Sequence, residues 1–217
     1  MYFTNRMAAG QQLADRLAKY RYENVVVVAI SEPSVLVARE IAAELHATLL
    51  LMALENIEVP GESLTFGTLN HVGELSYNPG MSEGQRDEYY SEFHGSLEEE
   101  QRLSFQQLNR LLSDGGYVER DLVRHQTVIL VADGIKSETI IEAAVRFFRP
   151  VRLEKLVVAT VLASVGAVDR MHILSDEIVC LSVTSNYLDT DHYYDENVLP
   201  GHAAVVDMIN HNVLYWR

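Results

Sequence analysis

Val128-Ile129-Leu130-Val131-Ala132-Asp133-Gly134-Ile135-Lys136-Ser137-Glu138-Thr139, with its continuation to Phe148, is the stretch that decides the fold. It opens as an apolar, β-branched run of strand length. It breaks at Ala132-Asp133-Gly134. It then turns helical, with Ile140, Ala144, Phe147 and Phe148 on one stripe. The pattern is strand, tight polar turn, helix. In open parallel sheets ligands bind at the carboxyl ends of strands, in turns of this kind. The unpaired N–H groups of the first helical turn and the helix dipole both favour an anion there. Asp133 offers an acid, Gly134 close backbone approach, Lys136 a cation, and Ser137 and Thr139 hydroxyls. A plainer reading stands beside this one. Ser137 caps an ordinary helix, and Glu138 stabilises its first turn by roughly 0.3–1 kcal/mol.

Outward from this stretch the chain alternates strands and helices. Residues 24–31 form a buried strand, and Ser31-Glu32-Pro33-Ser34 a turn with Pro33 at the first helical position and Ser31 or Glu32 as cap. A helix with Val37, Ile41 and Leu45 follows, then a strand over residues 47–54. This βαβ unit implies a parallel, right-handed pair. Residues 65–77 read as a hairpin over the ligand face. Residues 82–113 read as a long polar helix opened by the Ser82…Gln85 capping box, broken near Gly95 and ended by Asp114-Gly115-Gly116. Beyond the central stretch, residues 156–164 and 177–183 read as strands, residues 168–171 as a short helix, and Pro200-Gly201 opens a last helix around Val205, Met208 and Ile209. The class is α/β, a central and mostly parallel sheet flanked by helices. The expected organisation is one domain over residues 1–217, with a flap and helical insertion at about 55–120.

Composition narrows the partners. Thirty-one acids against 17 bases leave a net charge of −14, which argues against a nucleic-acid or anionic-membrane surface. No apolar stretch reaches membrane-span length, and Met1 leads into a polar segment unlike a secretory leader. The single cysteine, Cys180, lies in the apolar run Ile178-Val179-Cys180-Leu181; a buried thiol and a cytoplasmic location fit it. His71, His94 and His125 are scattered and read as surface or capped histidines. His192 and His202 have no cysteine partners, so no zinc site is expected, and Asp189, Asp191, Asp195 and Glu196 lack the pattern of a calcium loop. The common nucleophile-elbow, P-loop, zinc-protease and dinucleotide motifs are absent.

The central stretch resembles the phosphoribosyltransferase signature, four apolar residues followed by D-D-G-I-A-T-G-x-T. Asp133, Gly134, Ile135 and Ser137 match it; Ala132 replaces the first acid, Glu138 the loop glycine and Ile140 the final hydroxyl, and Lys136 is an addition. Phe3, Asn5, Arg6, Ala9, Gly10, Leu13, Ala14 and Leu17 resemble the N-terminus of one branch of that family, and Tyr193, Tyr194 and Asp195 its closing segment. The resemblance implies that residues 133–139 (Asp133, Gly134, Ile135, Lys136, Ser137, Glu138, Thr139) hold the ribose and 5-phosphate of phosphoribosyl pyrophosphate, with Asp133 as the catalytic acid, and that Mg²⁺ arrives with that substrate. It also implies that Ser31, Glu32, Pro33 and Ser34 stand where the branch has P-R-G-G on the pyrophosphate, and Glu55 and Asn56 where it has Arg-Lys. Three elements have thus moved toward neutral or negative charge. The expectation is a phosphoribosyltransferase-family protein with a diverged substrate site, weak or inactive as a transferase, which binds a small phosphorylated sugar or nucleotide and self-associates. An active transferase using the 133–139 loop and a structural interaction protein are the alternatives. A further option is that Glu32, Glu55, Glu58, Glu62 and Asp133 converge on an amine or a divalent metal.

Overall fold

A computed structural model describes residues 2–62, 64–112 and 115–212. Its centre is a five-stranded parallel sheet in the order β2-β1-β6-β7-β8, made of β1 (Val25–Ala29), β2 (Thr48–Leu51), β6 (Thr127–Ala132), β7 (Lys155–Ser164) and β8 (Glu177–Thr184). The inner strands β1 and β6 are buried along their whole length, as their unbroken apolar runs require of a sheet covered on both faces. One face carries α1 (Arg6–Leu17) and α2 (Glu32–Leu45), whose buried side chains join Val27, Ile129, Val157 and Ala159 in one core cluster. The other face carries α4 (Glu138–Phe148) and α5 (Val165–Leu174) over Val26, Val128, Leu130 and Val158.

α1 meets α2 closely because of Gly10. A Cβ there would lie 2.8 Å from the carbonyl oxygen of Val37. A second, antiparallel sheet is built from β3 (Leu54–Glu58), β4 (Thr65–Asn70) and β5 (Leu75–Tyr77) and packs against α4 and α3 (Glu83–Leu112). The last helix is α6 (His202–Asn212).

Several local expectations need correction. The strand expected over 47–54 ends at Leu51, where Tyr117 takes up its backbone partners, and Leu54 starts a strand of the other sheet. Pro33 sits at the second helical position, behind Glu32, with Ser31 as cap. The break in α3 falls at Phe93 (φ −111°, ψ 19°), not at Gly95. The expected stop at Asp114 lies outside the described residues. Cys180 and its apolar neighbours are only half-buried, because β8 is the sheet's edge strand. His71 is buried rather than on the surface: Nε2 bonds the Val118 carbonyl at 3.0 Å, and burial pushes its pKa down. Among the described residues no helix is long and apolar enough to cross a membrane.

Candidate active site at the strand switch point

The strand order 2-1-6-7-8 reverses direction between β1 and β6. Successive crossovers leave those two strands on opposite faces, so a crevice opens beyond their carboxyl ends. Both sides of that crevice are helix starts. After β1 come Ile30 and Ser31, then α2; after β6 come residues 133–137, then α4. Ser34, at the start of α2, joins the two sides: its Oγ donates to Asp133 at 2.8 Å and accepts from the Asp133 N–H at 3.2 Å.

Asp133 is held on every side. Arg6 Nε donates to its other carboxylate oxygen at 2.7 Å, and the Tyr194 hydroxyl donates to its backbone carbonyl at 2.7 Å. Arg6 is 3% exposed, and its guanidinium also bonds Asp191 at 2.5 Å and Asn197, and lies 4.4 Å over the Tyr194 ring. Burial opposes the Arg6 charge, but Asp133 and Asp191 outweigh it and raise its pKa. Burial and the neighbouring Asp133 charge together keep the Tyr194 hydroxyl protonated well beyond the usual range.

The loop that follows divides into two parts. Ile135 is tied to the sheet: its N–H donates to Leu162 (2.9 Å) and its carbonyl accepts from Ser164 (3.0 Å). Lys136 gives its carbonyl to the Ser164 hydroxyl at 2.9 Å. The Ser137 hydroxyl caps α4 by accepting from the Thr139 N–H at 3.2 Å and donates to the Thr139 hydroxyl at 3.0 Å. The plain helix-cap reading of the sequence is therefore realised. It leaves the N–H groups of Lys136, Ser137 and Glu138 with no protein partner among the described residues, beside the exposed Lys136 side chain. Such groups at a helix start suit an anion. Glu138 does not fill the space. Its carboxylate leans on Gly166 in the first turn of α5, where a Cβ would lie 2.6 Å from Oε1.

The other side offers fewer open donors: Pro33 carries no N–H and that of Ser34 is capped, which leaves those of Ser31 and Glu32 among the described residues. Ser31 Oγ accepts from the Ser34 N–H at 3.2 Å and lies 2.6 Å from Ser34 Oγ. Glu32 turns away to His202, 2.6 Å from its Nδ1. A cleft of about 380 Å³ runs past Ser31, Pro33, Glu55, Asn56, Asp133 and Gly134 to Asp189 and Asp191; Arg6 is the one cation among its described lining residues. Glu55 is half-buried there and burial, then Glu100, raises its pKa. Asn56 accepts from the Thr68 hydroxyl at 2.8 Å. Glu58 and Glu62 line a neighbouring cleft of about 800 Å³ with Lys136, Ser137, Glu138 and Thr139. The acids thus do not converge as one set, and among the described residues no group of three or more His, Cys, Asp or Glu is arranged to hold a metal. Asp133, the one acid of the signature that remains, accepts one hydrogen bond on each oxygen and belongs to no metal-holding group among the described residues, so a bound Mg²⁺ would take most of its oxygens from the ligand.

Sequence reasoning gave no role to Arg6, Ser164 and Thr190, which shape this crevice; it placed Tyr187 over the cleft mouth or a subunit interface and weighed Asp191 only as part of a calcium loop. One signal pointed to Arg6. It lies on the same helical stripe as Ala9, Gly10, Leu13 and Leu17, a charge on a buried face.

No family model matches the sequence. Two curated Mycobacterium tuberculosis proteins, from strains CDC 1551/Oshkosh and H37Rv and provisionally named as phosphoribosyl transferases, are 28% identical to it over 181 residues. Those residues are 83% of this chain, which spans only 40% of the length of these relatives. The crystal structure of TT1426 from Thermus thermophilus is similar throughout, with a TM-score of 0.74, 27% identity, and coverage of 96% of this chain and 98% of that one. Fold, signature loop and named relatives together support assignment of the chain to the phosphoribosyltransferase family.

Proposed function

We propose that this protein is a phosphoribosyltransferase-family binder whose crevice keeps the 5-phosphate half of the family's site and has given up the pyrophosphate half. The observation that carries this reading is the asymmetry of the crevice. Unpaired N–H groups at residues 136–138 and a free-standing Lys136 side chain lie on one side. Ser31, Pro33, Glu55 and Asn56 lie on the other, and the one cation there is already bound to three partners. Transfer of a phosphoribosyl group develops negative charge on a departing pyrophosphate, and a site accelerates that step by placing cations or donors where the charge appears. A carboxylate near that position opposes it. Ligands of this reading are phosphorylated riboses and nucleotides, held for sensing or regulation, with transfer weak or absent. The single cysteine and the acidic surface fit a cytoplasmic protein, and the half-exposed apolar edge strand β8 fits pairing with a second copy. We read the chain as one domain, with the antiparallel sheet and α3 as its insertion.

The test is incubation with phosphoribosyl pyrophosphate, Mg²⁺ and a panel of nucleobases, following pyrophosphate release. The reading expects little or no release above the uncatalysed rate, with no dependence on one base, while ribose 5-phosphate binds. The names of the M. tuberculosis relatives favour an active transferase instead; sustained release dependent on one base, lost in Asp133→Asn, establishes that alternative.

A further inference from the structure

The part of the loop nearest the phosphate cradle is already occupied by the protein itself. Gly134 stands in the signature where a ligand approaches the backbone. In this structure the close approach is made by Tyr187 and Thr190: a Cβ on Gly134 would lie 2.2 Å from the Tyr187 hydroxyl and 2.9 Å from that of Thr190. The two hydroxyls bond each other at 2.8 Å, and burial pushes the Tyr187 pKa up to about 12, so this contact is made by a neutral phenol.

The turn that carries them is fixed at its back and loose at its front. Behind it, Tyr193 and Tyr194 are buried, and residues 193–196 pair with the N-terminal tip through Phe3 and Thr4. In front, Ser185, Asn186 and Leu188 are exposed. The turn is held down by the Arg6–Asp191 ion pair, whose acid is 44% exposed, and by the Tyr193 hydroxyl, which donates to the Asn186 carbonyl at 3.0 Å. A segment with few buried contacts and exposed ties opens at low cost compared with the core.

We propose that residues 185–191 form a latch seated on Gly134, closed by the Arg6–Asp191 pair, which a phosphorylated ribose must lift to reach Asp133 and the loop. Arg6 stays in place when it opens. An ionised carboxylate has about four acceptor positions, so Asp133 can take ribose hydroxyls while keeping Arg6 and Ser34. The turn cannot stay, because it fills the approach to Gly134. This inference concerns regulation of the proposed site and rests on that reading for its ligand, but the closed latch can be tested without one.

The experiment is hydrogen exchange of the full chain, wild type, Tyr187→Ala and Asp191→Asn, with and without ribose 5-phosphate. Without ligand, peptides covering residues 185–191 are expected to exchange at least fivefold faster in both variants than in wild type. With ligand, the wild type is expected to lose protection over 185–191 while gaining it over 136–138, and both variants to bind about tenfold more tightly. Equal ligand-free exchange over 185–191 in all three proteins overturns the latch. So does joint protection of 136–138 and 185–191 with weaker binding by Tyr187→Ala, which makes the turn a wall of the site. If ribose 5-phosphate protects 136–138 in none of the proteins, the proposed function fails, and the ligand-free comparison still decides the latch.

Discussion

The two turns that face each other across the switch point are built to one plan and end differently. Each follows a fully buried strand, each caps its helix with a serine (Ser31 for α2, Ser137 for α4), and each places a glutamate in the first turn (Glu32, Glu138). The difference is length. Two residues, Ile30 and Ser31, separate β1 from α2, whereas residues 133–137 separate β6 from α4. The longer loop has room to leave N–H groups unpaired and to carry Gly134 and Lys136. The shorter one has its serine hydroxyls spent on its own cap and on Asp133. A helix start binds an anion only where the chain leaves its donors open.

The comparison yields predictions, of which the largest concerns stability. Asp133→Ala costs Arg6 one of its two carboxylates, with Asp191 remaining, and strips Ser34 of its acceptor; the loss should be about 2–3 kcal/mol in urea unfolding. A loss below about 1 kcal/mol would mean that the Asp133 contacts do not hold the two turns together. Next comes binding on each side. Lys136→Ala should weaken ribose 5-phosphate and Glu138→Gly should strengthen it, each by roughly tenfold, the change expected from about 1.4 kcal/mol in a charge-assisted contact. Glu55→Arg with Asn56→Lys should raise affinity for phosphoribosyl pyrophosphate and leave ribose 5-phosphate unchanged; calorimetry that finds both ligands gaining equally would erase the distinction between the sides. The two caps provide a finer comparison. Ser31→Ala and Ser137→Ala should cost about the same, about 1 kcal/mol each, because each removes a cap and the hydrogen-bond partner of a second hydroxyl, that of Ser34 or Thr139.

The smallest effect lies at the opposite end of the sheet. Glu177 meets Lys19 at 2.6 Å and Lys155 at 2.9 Å and accepts from the Tyr20 hydroxyl. Burial opposes its charge, but the bonds from Lys19, Lys155 and Tyr20 outweigh that and hold its pKa at about 2, below the ordinary 4.5. A depressed carboxylate stabilises the fold fully above the ordinary value, and that share is lost as pH falls from there toward the folded value. Solvent screening limits it to about 1 kcal/mol. Glu177→Gln should flatten the acid limb of stability against pH by that amount, without touching ligand affinity at the crevice.

The sheet was legible because β1, β6 and β7 are dominated by apolar runs of strand length closed by polar turns, a local pattern. The loop after β6 was legible for the same reason, as was Ser137 as its cap. What could not be read was set by partners far along the chain. Arg6 meets Asp133 across 127 residues, and Thr190 joins Tyr187 at Gly134 only once β8 has been laid beside β7. Glycine at position 134 read as room for a ligand; the fold uses that room for its own side chains. The division of residues 47–58 into strands of two sheets depends on Tyr117 pairing with Leu51, which no local periodicity records.

The central claim is that one half of the crevice still binds and the other does not. Its most direct test is calorimetric titration of the protein at low salt with ribose 5-phosphate and, separately, with phosphoribosyl pyrophosphate and Mg²⁺. The account predicts saturable binding of both, with dissociation constants within about threefold of each other, since the pyrophosphate gains nothing on the side of Ser31 and Glu55. Phosphoribosyl pyrophosphate binding a hundredfold or more tightly than ribose 5-phosphate, a gain of about 2.7 kcal/mol, would contradict it.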